Sequence, residues 1–84
     1  MKKILNRKYK REPISIVVVH IERSLDNYSA YIDELPGCIA TSDNLDNLKR
    51  EISDAAKSHL ELMSEYKDRI PTVFKGKYIL KFKQ

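Results

Sequence analysis

A proline-glycine pair, Pro36-Gly37, separates two short apolar stretches and constrains the fold more than any other feature of this chain. Proline fixes the backbone φ of the first central residue of a tight turn, and glycine accepts the positive φ that the second one often needs. The pair therefore predicts a reversal between two strands, Tyr28 to Asp33 and Cys38 to Thr41. Neither strand carries residues typical of a catalytic centre.

The length of the chain, 84 residues, suffices for one small domain with a modest core. Association with a partner, or with further copies of the chain, would stabilise such a domain by mass action. The single cysteine, Cys38, allows no internal disulfide, and no spacing of cysteine and histidine suits zinc. No segment resembles a signal peptide or a membrane span. We expect a soluble cytoplasmic homo-oligomer, a dimer or tetramer, without cofactor or metal.

Three further elements follow from periodicity. The segment from Ile14 to Arg23 is rich in β-branched residues on both alternating faces, which predicts a central strand covered on both sides. Asn44 can cap a helix, and Pro71 prevents that helix from continuing. The segment from Lys77 to Lys83 alternates lysines with apolar residues, which predicts a strand with one exposed face beside the first strand. The helix stripe expected to pack on the sheet comprises Leu45, Leu48, Ile52, Ala55, Ala56, His59, Leu62, Met63 and Tyr66.

This order of elements predicts an α+β domain of β-β-β-α-β topology over residues 13–84. Its sheet is expected to be four-stranded and mostly antiparallel, with a single helix packed on it. Residues 1–12 are predicted to form a basic tail or a short edge strand. His59 lies within the apolar helical stripe, so we expect a hydrogen-bonded core residue there rather than a base or a metal ligand.

The net charge of +4 is distributed unevenly. Residues 1–12 carry six basic side chains and one acidic one, residues 13–74 have a net charge of −5, and the last ten residues add four lysines. A surface of one sign accelerates the encounter with a partner of the opposite sign, although acids at turns and helix starts also have local roles. Between Ser24 and Leu48 there is no lysine or arginine, and the carboxylates there are Asp26, Asp33, Glu34, Asp43 and Asp46.

Several motifs together resemble the HicB family of antitoxins from bacterial type II toxin-antitoxin systems. The resemblance covers residues 14–84 and rests on Tyr28-Ser29-Ala30-Tyr31, Leu35-Pro36-Gly37-Cys38, Asp43-Asn44-Leu45, His59-Leu60-Glu61, Ile70-Pro71 and Phe74-Lys75-Gly76-Lys77-Tyr78. It implies a partial RNase H-like fold. It also implies a partner, because members of the family bind a small basic mRNA-cleaving toxin of the HicA family and block its active site. Many members continue into a C-terminal DNA-binding domain, which we do not expect in a chain ending at Gln84.

The function predicted from these features is that of an antitoxin-like binding module. Carboxylates would compete with RNA phosphates for the lysines and arginines of a basic toxin. Tyrosine adds a large apolar area with a polar tip and is common in interfaces, although Tyr28 is equally compatible with a place in the core. The residues expected to contact the partner are Asp26, Tyr28, Tyr31, Asp33 and Glu34.

Three alternatives are open. A nuclease would need several carboxylates that converge on metal ions, and the first strand offers only Glu22, so we do not expect an enzyme. A stand-alone HicB-like domain without a cognate toxin is the second alternative. The third is nucleic-acid binding through the basic termini, for which the candidate residues are Lys2, Lys3, Arg7, Lys8, Lys10 and Arg11.

Overall fold

The computed structural model describes residues 13–84, and every structural statement below refers to that part of the chain. The elements are β1 (Ile14–Arg23), β2 (Tyr28–Ile32), β3 (Ile39–Ser42), α1 (Leu45–Glu65), a 3-10 helix (Thr72–Phe74) and β4 (Lys77–Lys83). The predicted β-β-β-α-β order is confirmed. The basic segment 1–12, with the alternative nucleic-acid-binding residues Lys2, Lys3, Arg7, Lys8, Lys10 and Arg11, lies outside the described residues.

The four strands form one mixed sheet in the order β3-β2-β1-β4. The short connections make β1–β2 and β2–β3 antiparallel pairs. β4 pairs with β1 in parallel because the chain crosses over through α1 before it returns to the sheet. The predicted place of the last strand beside the first one is therefore confirmed, and two of the three strand pairs are antiparallel.

The reversal between β2 and β3 consists of two consecutive tight turns. The backbone N–H of Leu35 donates to the carbonyl of Ile32 at 3.1 Å, and that of Cys38 donates to Leu35 at 3.0 Å. Gly37 has a φ of 90°, which the second central position of a type II turn requires. The predicted Pro-Gly turn is confirmed. The following strand begins at Ile39, one residue later than predicted.

Both ends of α1 are capped by local hydrogen bonds. The side chain of Asn44 accepts from the backbone N–H of Asn47 at 3.0 Å, as predicted for the N-cap. At the other end Lys67 adopts a φ of 59°. Its N–H donates to Ser64, and the N–H of Asp68 donates to Met63 at 2.7 Å, which completes a Schellman motif. The helix thus ends well before Pro71.

The core lies between one face of the sheet and α1, which packs against β2 and β3. Along β1 the alternation places Val17, Val19 and Ile21 on the buried face. The buried residues are Val17, Val19, Ile21, Ala30, Ile32, Leu35, Cys38, Leu48, Ile52, Ala56 and Phe74. On β4 the predicted alternation is also confirmed, since its aromatic and leucine positions are half-buried and its lysines are exposed.

Two sequence predictions about burial are wrong. β1 is not covered on both sides: Ile14 and Ile16 are exposed, because α1 covers only one face of the sheet. In α1, Leu62 and Tyr66 are exposed instead of packed on the sheet. The helix, at about 1.5 Å per residue, is roughly 31 Å long, whereas β2 spans only about 17 Å. The last helical turns therefore have less sheet beneath them.

Candidate partner-binding surface

Within residues 13–84, nothing covers the face of the sheet opposite α1, and this face carries both apolar and charged side chains. The strand register places Ile16 beside Ile79, and His20 between Tyr31 and Lys83. We call this surface the open face, and it consists of Ile14, Ile16, Val18, His20, Glu22, Ser29, Tyr31, Asp33, Ile39, Thr41, Lys77, Ile79, Lys81 and Lys83. Its existence follows from the single helical layer, because a second layer would be needed to cover it.

A cluster of three side chains lies at one end of the open face. The His20 ring stacks on Tyr31 with 4.9 Å between ring centroids and 19° between planes. His20 Nε2 is 3.0 Å from Asp33 Oδ2, so the imidazole N–H donates to the carboxylate. The side chains of His20 and Asp33 are 32% and 70% exposed, so this contact contributes little to stability. The two contacts bring the Tyr31 ring and the Asp33 carboxylate together around His20.

The β1–β2 turn forms a second polar group at the other end of β2. Ser24 Oγ donates to Asn27 Oδ1 at 2.7 Å. The guanidinium of Arg23 lies over the ring of Tyr28, 5.8 Å from its centroid. Tyr28 itself is half-buried and packs against the core. A shallow recess in this region is lined by Arg23, Ser24, Leu25, Asp26, Asn27, Tyr28 and Asp43.

The five residues expected to contact a partner therefore form two groups. Tyr31, Asp33 and Glu34 lie together where β2 ends, and Asp33 and Glu34 are exposed there. Asp26 and Tyr28 lie at the start of β2. Tyr28 and Tyr31 face opposite sides of the sheet because they are three positions apart along a strand. We call Tyr31, Asp33 and Glu34 the acidic patch.

The comparison with protein families decides what kind of protein presents this surface. A family model described as a HicB-like antitoxin of a bacterial toxin-antitoxin system matches residues 15–81. The chain belongs to the HicB-like antitoxin family. Comparisons with curated proteins and with solved structures produce no match. The family indicates an antitoxin role, and hence a toxin as the partner of this HicB-like chain.

Two further chemically active side chains of this HicB-like chain are Cys38 and His59. Cys38 is buried, and burial raises the pKa of its thiol above the ordinary value of 9.0, which suppresses the reactive thiolate. His59 is half-buried on α1 rather than enclosed in the core as predicted. Within residues 13–84, no His, Cys, Asp and Glu side chains gather in a group of three or more that could hold a metal ion. No helix in that range is long and apolar enough to cross a membrane.

The sequence analysis missed the part that His20 plays in this surface. Alternation along β1 puts His20 on the same face as Ile14, Ile16 and Val18, and the predicted cover on both sides of β1 made that face an inner one. The pairing of β1 with β2 sets His20 opposite Tyr31 and brings it to Asp33. Counting the hairpin register from the β1–β2 turn would have revealed this proximity, since directly opposed positions share a face.

Proposed function

We propose that this chain neutralises a small basic RNA-cleaving toxin of the HicA type by direct contact through the acidic patch. The observation that carries the proposal is the match of the HicB-like antitoxin family over residues 15–81. In this proposal the chain acts by binding and not by catalysis, in the cytoplasm, with residues 13–84 as the functional domain. The assignment of the sheet and helix to a partial RNase H-like fold belongs to the same proposal.

The chemistry of the acidic patch supports this proposal. A protein that cleaves RNA needs lysines and arginines to hold phosphates. Exposed Asp33 and Glu34 can pair with such groups and compete with RNA for them. Tyr31 stacks on His20 beside these carboxylates, so its ring adds apolar contact area to the same part of the surface. Asp26 and Tyr28, at the other end of β2, make a second and separate part of the proposed contact.

Charge reversal tests the acidic patch. We expect the double substitution Asp33→Lys and Glu34→Lys to weaken toxin binding by about 10- to 100-fold, because each lysine faces a basic partner. The measurement is a calorimetric titration with a small basic RNA-cleaving toxin of the HicA type. Both side chains are exposed, so circular dichroism should show an unchanged fold.

A second double variant serves as the matched control. Glu51→Lys and Asp54→Lys change the net charge by the same amount, but both positions are exposed on α1, away from the acidic patch. We expect this variant to bind the toxin nearly as well as the unchanged chain. Equal losses of affinity in the two double variants would mean that only overall charge matters. No loss in the Asp33 and Glu34 variant would contradict the proposed contact.

A further inference from the structure

We propose that the open face binds a second copy of this chain, so that two sheets pack face to face in a symmetric dimer. This inference goes beyond the proposed function, which concerns the toxin, and takes up the homo-oligomer expected from the sequence. It does not depend on the identity of the toxin, because the chain alone suffices to test it. The argument rests on the apolar centre of the open face, on the distribution of charge around that centre, and on the size of the surface.

The centre of the open face is apolar and exposed. Ile14, Ile16 and Ile79 are 57%, 58% and 54% exposed. Ile16 and Ile79 are register partners, Ile14 lies two positions before Ile16 on β1, and Val18 lies two positions after it. Contiguous apolar side chains of this kind mark sites of protein association, whereas single exposed ones do not.

The charges beside this centre have opposite signs on its two sides. Lys81 is the register partner of Val18 on β4. On the other side, β2 ends at Ile32, the partner of Val19, and the next residue, Asp33, holds its carboxylate 3.0 Å from His20 Nε2. A row across the sheet thus runs from a carboxylate, over an apolar residue, to an ammonium group. Such a row is complementary to a second copy of itself that is rotated by 180° about the strand direction.

The order of charges selects one symmetry for the dimer. A two-fold axis that runs along β1, between the sheets, places β1 on the β1 of the other copy and β4 over its β2. Lys81 then lies opposite the end of β2 that carries Asp33 in the second copy, and this contact occurs twice, as an isologous interface requires. An axis perpendicular to the strands would place β4 on β4 and oppose their lysines, which is unfavourable. The first arrangement also keeps the strands of the two sheets nearly aligned, a common packing of sheets.

The size of the open face sets the strength that we expect. Four strands at about 4.8 Å spacing and seven residues at about 3.3 Å give a footprint of roughly 400 Å². This is below the roughly 800 Å² per partner of a standard stable interface. We therefore infer a dimer that dissociates at micromolar concentrations rather than a permanent one.

Sedimentation velocity of the chain alone, over a series from low micromolar to submillimolar concentration, tests the dimer. We expect the mass of the unchanged chain to rise from that of one copy to that of two. The double substitution Ile16→Ser and Ile79→Ser should raise the dimer dissociation constant at least tenfold. Both isoleucines are largely exposed in a single copy, so the thermal transition of the variant should stay close to that of the unchanged chain.

Two further variants make the test specific. Leu62→Ser removes an equally exposed apolar side chain, 53% exposed, from α1 and should leave the dimer unchanged. Lys81→Asp should weaken the dimer, and the addition of Asp33→Lys should restore it, because the exchanged charges again face each other. The inference is overturned if the chain remains monomeric at every concentration. It is also overturned by equal loss in the Leu62 variant, or by a charge exchange that restores nothing.

Discussion

At the scale of single residues, Gly37 is the position where the backbone demands a particular side chain. Its φ of 90° lies in the region that L-residues avoid, while a Cβ added there would meet no atom within 4 Å. Gly37→Ala should therefore lower the free energy of unfolding by about 1–2 kcal/mol through backbone strain alone. Urea denaturation measures this as a lower midpoint with an unchanged slope.

Gly76 provides the matched control for Gly37. A Cβ at Gly76 also meets no atom within 4 Å, but its φ is not positive. Gly76→Ala should leave the stability unchanged or raise it by up to about 1 kcal/mol, because alanine restricts the unfolded chain. Equal destabilisation by the two substitutions would show that the positive φ is not the cause.

The residues of the acidic patch show how far sequence reasoning reaches at this scale. The composition between Ser24 and Leu48 identified Asp33 and Glu34 as exposed acids, and the structure places both at the surface. Which tyrosine lies beside these acids depends on the alternation of side chains along β2. This alternation directs Tyr28 toward the core and Tyr31 toward the open face. The sequence alone does not decide whether Tyr28 lies in the core or contacts a partner, because that depends on the strand register.

At the scale of elements, the C-terminus of α1 carries a lysine where glycine is usual. Lys67 occupies the left-handed position of the Schellman motif with a φ of 59°. Lys67→Gly removes the steric cost of a Cβ in that conformation and loses only a small favourable interaction of the ammonium with the helix dipole. We expect the free energy of unfolding to rise by up to about 1 kcal/mol, measured by chemical denaturation.

Lys57 is the appropriate comparison because it is an exposed lysine in the interior of the same helix. There the same substitution should destabilise by about 1 kcal/mol, since glycine is a poor helix former. The two lysine-to-glycine changes should therefore have opposite signs. Destabilisation at both positions would mean that the strain at Lys67 is negligible.

The elements themselves could be predicted because their signals are local. A cap at Asn44, a Pro-Gly turn and alternation along β4 each depend on a few neighbouring residues, and all three are confirmed. The burial of Leu62 and Tyr66 was predicted wrongly from signals of the same kind. Whether a helical stripe is covered depends on the length of the strands beneath it, and helical periodicity carries no information about that length.

At the scale of the whole molecule, the sequence prediction and the fold differ mainly in how β1 is covered. Apolar residues on both faces favour a strand that is buried on both sides. One helix covers one face, and residues 13–84 contain no second layer for Ile14 and Ile16. A chain read alone cannot reveal a layer that another copy supplies. The dimer proposed above would give β1 the two-sided cover that its sequence indicates.

The acidic patch and the open face share Tyr31 and Asp33, which leads to a prediction about the whole molecule. If Lys81 of a second copy pairs with the Asp33 carboxylate, a toxin can bind only the fraction of chains that are monomeric. The variant with Ile16→Ser and Ile79→Ser keeps the acidic patch and loses the dimer. It should therefore bind the toxin with a higher apparent affinity than the unchanged chain, by a factor that grows with antitoxin concentration.

Calorimetric titrations at low and high antitoxin concentration separate the possible relations between the two surfaces. At concentrations where the unchanged chain is unpaired, the two proteins should bind the toxin equally, and at higher concentrations only the unchanged chain should bind more weakly. Equal affinity throughout would show that a paired chain still accepts the toxin. Weaker binding by the double variant at low concentration would show that the toxin itself contacts Ile16 and Ile79, and the open face would then belong to the toxin rather than to a second copy.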